Sequence, residues 1–210
     1  MLEVTLGAME DAREEGSERH RRAIALIDEA NAQDPNLLTY RGESRPKELW
    51  HAEMMTGWVR RLRPNASEEL LLAARAHHIR RWEVPRSSYP EGRKGYLRWR
   101  AGLHEHHARL AAEILKKAGY QEPQIERVRQ LIRKQNLRRD PDVQLIEDCL
   151  CLVFLDTQLA DMRVKHGEEK TLDILSKTLE KMSPLAQKTA AELDLEPADA
   201  ALLKLAVEAQ

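Results

Sequence analysis

Large rings are scarce in this chain of 210 residues: it holds one Phe, four Trp and four Tyr, 4 % aromatic in all. Its core must therefore be built from Leu, Ala, Ile and Val, which belong to an apolar fraction of 42 %. Cysteine is almost absent. Cys149 and Cys151 are two positions apart, a helical spacing that points them to different sides, which excludes a disulfide scaffold and fits a reduced thiol pair in the cytoplasm. No apolar run approaches the roughly 20 residues that span a bilayer. The first residues, MLEVTLGAMEDAREEG, are acidic and lack an apolar stretch, so no signal peptide is expected. Period-2 alternation, internal repeats and low-complexity tracts are also missing, which argues against a β-rich or repeat architecture.

What remains reads as helix. Charged residues reach 33 %, and they are interleaved with Ala and Leu. RAIALIDEANAQDP places Ile24, Ile27 and Ala30 on one stripe and stops at Asp34-Pro35. A second helix is expected from Ser44 or Arg45 with Pro46 in its first turn, and a third from Asn65 or Ser67 to a point before Pro85. VPRSSYPEGRKG reads as a loop, followed by helices over about 96–118 and 123–136. Asp140-Pro141-Asp142 is a strong start signal for an apolar helix that runs toward His166-Gly167, and Pro184 and Pro197 mark later boundaries. The expectation is an all-α protein: a mobile acidic segment over 1–17 and a single helical domain over 18–210.

The formal net charge of −1 conceals a polarity along the chain. From Arg60 to Arg139 there are 20 Lys/Arg against 8 Asp/Glu. Such a basic stretch fits either an anionic partner or attraction to the chain's own acidic ends.

Six of the eight histidines fall on three of the expected helices: His51, the adjacent pair His77-His78, and His104, His106 and His107. Asp148, beside Glu147, interrupts the most apolar helix, where a lone carboxylate would cost several kcal/mol unless paired or bound to a metal. Imidazoles with a carboxylate suit first-row transition metals, so one divalent ion (Mn, Fe, Ni or Zn) held by His51, His77, His78 and Asp148 is the candidate centre.

The order of these residues resembles the HD superfamily of helical metal-dependent phosphohydrolases over about residues 45–160. His51 matches its first histidine, AHHI its His-Asp pair at His77 and His78, and EDCL its last aspartate at Asp148. His107 matches an additional histidine of members with a second metal. The pair here is His-His, and no family histidine stands near Lys134 or Gln135, so the resemblance implies one metal rather than two. A closer resemblance, carried by EANAQDPN, RPKELWHAEMM, AARAHHIRRWEVPRSSYPEGRKGYLRWR and EDCLCLVFLD, is to domain of unknown function family 4202. It covers 20 to about 185 and implies a compact helical domain without naming an activity.

Three functions follow as expectations. The first is a metal-dependent phosphohydrolase acting on a nucleotide or another phosphate ester. Glu83 or Glu147 is then the general base, and Arg80, Arg81, Ser87, Ser88, Tyr89, Lys94, His107 and Lys134 line the substrate, with Trp82 or Trp99 available for stacking. The second is a non-catalytic nucleotide- or RNA-binding module using the basic stretch. The third is an interaction protein whose basic face meets acidic segments. No membrane contact is expected.

Overall fold

The computed structural model describes residues 17–209. The acidic segment expected to be mobile lies, apart from Ser17, outside the described residues. The described chain is all-α with one short hairpin, and it divides into two compact units, one reaching Gln135 and the other beginning at Asn136. None of its described helices is long and apolar enough to cross a membrane.

The first unit opens with helix α1 (Glu18–Asn31), capped by Ser17, whose side chain accepts from the His20 N–H. Strands β1 (Leu37–Tyr40) and β2 (Glu43–Pro46) then pair antiparallel, with Leu37 opposite Pro46 and Tyr40 opposite Glu43. The two-residue turn between them, Arg41-Gly42, has φ of 50° and 82°, the pair of positive values that a tight hairpin requires. This hairpin corrects the sequence reading. Strands of four residues are too short to show alternation, and β2 occupies the residues expected to begin a helix.

Helix α2 (Lys47–Leu62) therefore starts at Lys47 and has no side-chain cap of its own. Buried Asp34 takes that role from a distance. Its Oδ2 accepts from the Glu48 N–H at 3.0 Å, and its Oδ1 accepts from the Asn36 N–H at 2.9 Å. Helix α3 (Glu68–Arg75) is capped by Ser67 and packs against α1, α2 and a later helix, so Leu72, Ala73 and Ala74 are fully buried. It ends at Arg75, sooner than expected. His77 and His78 follow in tight turns, and Arg80 closes them in the left-handed region (φ 50°, ψ 37°). That strain, of order 1 kcal/mol, is held by the Arg80 N–H donating to Asn31 Oδ1 at 3.1 Å.

Helix α4 (Gly92–Ala118) begins a turn before the expected residue 96. A Cβ at Gly95 would lie 1.7 Å from the Pro90 carbonyl oxygen, and one at Gly102 would lie 2.6 Å from Tyr89 Oη. Both glycines thus admit the preceding loop onto the helix. Helix α5 (Glu122–Ile132) completes the unit against α3 and α4.

The second unit is built on α6 (Pro141–His166), capped by Asp140, whose side chain accepts from the Asp142 N–H at 2.9 Å. Helices α7 (Glu168–Leu179), α8 (Pro184–Ala190) and α9 (Pro197–Glu208) pack on it, with Pro184 and Pro197 at helix starts as the sequence predicts.

Candidate metal centre

Buried polar groups at the start of α2 set up the site. Glu48 and His51 are one turn apart, on the stripe that continues through Met55 and Val59, so the apolar face of α2 carries two metal-binding types at its head. The turns after α3 bring in His77 and His78, and the buried stripe of α4 (Leu103, His107, Ala108, Ala111) adds His107.

His78 is the hub. Its ring stacks on His51 with centroids 4.2 Å apart and 9° between planes. The centroids of His77 and His107 lie 5.1 and 5.8 Å from it. Glu48 Oε2 approaches His78 Nδ1 to 3.3 Å but makes no hydrogen bond. One donor atom from each of Glu48, His51 and His78 falls within 4.8 Å of the others.

The contact between Glu48 and His78 is not a pair of charges. Burial drives His78 well below its ordinary pKa, with His51 and Arg81 acting the same way. Burial, then Arg81 and Lys47, depresses His51 to about 3. Burial outweighs an opposing hydrogen bond to Ile79 at His107, which falls to about 3, and burial followed by Lys134 lowers His77. Glu48 moves the other way, to about 7, chiefly by burial. Neutral imidazoles beside a buried carboxyl group form a donor set suited to a cation.

The unsatisfied atoms agree. His51 Nε2, His107 Nε2, His77 Nδ1 and Glu48 Oε2 are buried without a hydrogen-bond partner, a cost of about 1–3 kcal/mol for each. His107 Nδ1 lies 2.8 Å from the Ile79 carbonyl oxygen. A carbonyl only accepts, so Nδ1 carries the proton and Nε2 presents its lone pair, as ligating histidines do.

Arg81 stands at the edge of this cluster. Its guanidinium lies over the Trp99 ring at 4.8 Å and has no hydrogen-bonded or ion-paired partner among the described residues. Burial lowers its pKa, opposed by the Glu48 charge. Trp99 is fixed by its indole N–H donating to the Val84 carbonyl at 2.9 Å.

The other sequence candidates are placed differently. Arg80 is engaged with Glu83 at 3.2 Å and Gln33 at 2.8 Å, and Glu83 also lies 3.5 Å from His106. Ser87, Ser88 and Lys94 are exposed, while Tyr89 packs on Gly102. Lys134 acts electrostatically on His77 and His51. Asp148 and Glu147 are buried in the second unit. The Asp148 carboxylate accepts from the Ser183 N–H at 2.8 Å, the Ser183 hydroxyl at 2.6 Å and the Gln144 amide at 2.9 Å. Glu48 is the residue that sequence reading missed. Its signal was the Glu-x-x-His spacing to His51, which puts both side chains on one helix face.

The chain matches the family described as a domain of unknown function (DUF4202) over residues 21–203. Neither the curated proteins nor the solved structures contain a match to it.

Proposed function

The chain belongs to the DUF4202 family, and we propose from its site that it is a metal-dependent phosphohydrolase with an HD-like centre. One observation carries this reading: Glu48, His51 and His78 place three donor atoms within 4.8 Å in a buried cluster. Two imidazoles and one carboxylate are the donor set of hydrolytic zinc sites and of mononuclear non-haem iron sites, and they leave room for water or substrate. This set keeps His51 and His78 from the sequence expectation and takes Glu48 as the acid, because both Asp148 oxygens are already engaged. When bound, the ion supplies Lewis-acid chemistry, acidifying water and polarising a phosphoryl oxygen.

The chain's own residues supply the rest. Arg81, desolvated and without an ion-paired partner among the described residues, binds the phosphate and offsets charge that develops on it. The Ile79 carbonyl holds His107 in the tautomer whose Nε2 carries a buried lone pair without a hydrogen-bond partner. Burial keeps His77 neutral, so it adds no positive charge beside a bound cation. Two buried cysteines without a disulfide fit a reducing compartment, and we place the activity in the cytoplasm.

The test is elemental analysis of protein purified without a metal-binding tag, followed by hydrolysis assays on nucleotides and p-nitrophenyl phosphate. The expected result is about one transition metal per chain and phosphate release that chelation abolishes. A protein that neither retains nor takes up Mn, Fe, Ni or Zn would refute the reading.

A further inference from the structure

The first turns of α4 gather cations that carboxylates do not offset. Several arginines of the same unit are neutralised: Arg75 by Asp28 at 2.6 Å, Arg133 by Glu105 at 2.6 Å, Arg45 by Glu53 at 2.7 Å, Arg109 by Glu113 at 2.7 Å. Arg93, Lys94, Arg98 and Arg100 have no carboxylate partner among the described residues. No Asp or Glu occurs between Glu91 and Glu105. Unpaired like charges on neighbouring turns repel, so this stretch costs stability unless something anionic lies on it.

An aromatic surface sits among these charges. Tyr96 is 44 % exposed and its neighbour Leu97 53 % exposed, high values for such side chains. Tyr96 leans on Trp99 with centroids 5.9 Å apart, and Arg100 lies 6.0 Å from the Tyr96 ring centre. Trp99 in turn carries Arg81. The rings are thus supported from behind, while Tyr96 keeps open surface.

We propose that the start of α4 is a binding surface for single-stranded nucleic acid, with Tyr96 as the stacking residue and Arg93 and Arg100, three residues before it and four after it on the same helix face, as the phosphate contacts. The arrangement separates a polymer from a mononucleotide. Arg93 precedes the ring and Arg100 follows it along one face, over about 10 Å of helix. Cations on both sides of one stacked base match phosphates on both sides of that base, which only an internal nucleotide of a strand provides. A narrow two-turn patch of flexible side chains suits an unpaired strand, whose bases are free to stack on the ring.

This inference is independent of the metal reading, and its test is run in EDTA. Anisotropy of a fluorescein-labelled twelve-nucleotide oligouridylate is followed at salt concentrations from about 50 to 200 mM. Two phosphate contacts on a single strand predict a log–log salt slope of about −1.4, and Arg93→Gln should reduce its magnitude by about 0.7. Tyr96→Ala should weaken binding by about 5- to 100-fold, and Tyr96→Phe should restore it. Because these side chains are exposed, the variants should melt with the parent, which circular dichroism checks. The proposal is overturned if the oligonucleotide does not bind at low salt, or if Tyr96→Ala binds as the parent does. It is also overturned if uridine monophosphate competes as well as the strand, which would indicate a small-molecule site, or if a polyglutamate peptide binds equally, which would indicate charge alone.

Discussion

The two units treat buried polar groups in opposite ways. In the second, the buried side chains of Asp148, Asp199 and three threonines are satisfied nearby. Asp148 is held by Ser183 and Gln144, Asp199 accepts from Arg163 at 2.6 Å, and the hydroxyls of Thr171, Thr178 and Thr189 donate to the carbonyl four residues back. In the first unit, nine buried side-chain atoms among the described residues lack a partner, and four of them belong to the cluster around His78. The first unit also holds seven of the eight histidines. Burial alone therefore does not mark a functional group. The second unit shows what buried polarity looks like when it serves structure, and the departure from that pattern identifies the site.

The largest expected effect tests this contrast directly. His51→Ala and Glu48→Gln should lose stoichiometric metal, and the metal-dependent rise in melting temperature should go with it. Asp148→Asn should retain both. If instead Asp148→Asn loses the metal while Glu48→Gln keeps it, the contrast fails and the acid has been assigned to the wrong unit.

Stability should answer in the other direction. Asp148→Ala removes an acceptor of three hydrogen bonds and should cost about 2–3 kcal/mol by urea denaturation. Ser183→Ala should cost more than Ser67→Ala. Both serines cap a helix, a contribution of about 1 kcal/mol, but Ser183 also binds Asp148. Equal losses at the two serines would mean that the Asp148 contact contributes nothing.

A smaller, graded effect is the pH dependence of the metal-free protein. His51, His77, His78 and His107 have folded pKa values below the unfolded value of about 6.5. Their contribution is fully present above 6.5 and is lost as pH falls below it, because the unfolded chain binds protons that the folded one excludes. Glu48 opposes this. Its folded pKa of about 7 lies above the unfolded value, so its contribution is present below about 4.5 and lost as pH rises to 7. Four groups outweigh one, and stability should fall on acidification below 6.5. The second unit's only histidine, His166, is exposed. Hydrogen exchange at pH 5 should therefore open α2 and α4 before α6, and simultaneous opening would break the comparison.

Much of this fold was legible wherever the chain carries local end signals. Ser67, Asp140-Pro141, Gly119, Pro184 and Pro197 mark helix ends in the structure as in the sequence. The hairpin was not legible, since strands of four residues carry no periodicity. The end of α3 was hidden because no glycine or proline announces it, only a left-handed Arg80 stabilised by Asn31, far away in the sequence. For the site, the histidines were legible because six of the eight fall on three expected helices. Glu48 was not, because an acid at a helix start reads as a dipole partner. Asp148 attracted notice as a buried charge, but its partner Ser183 lies 35 residues on and leaves no local trace.

Gly95 has a consequence for the evolution of the surface beside the site. A helix can present any of its faces to solvent, and the missing methyl at Gly95 selects which one. Only the glycine lets the Pro90 carbonyl press against the backbone there, and this fixes the rotational phase of α4's first turns. With that phase fixed, Tyr96 and Leu97 face outward whatever their own preference for burial. Substitutions on the exposed turns can then accumulate one at a time without turning the helix, whereas any side chain at Gly95 would redirect all of them together.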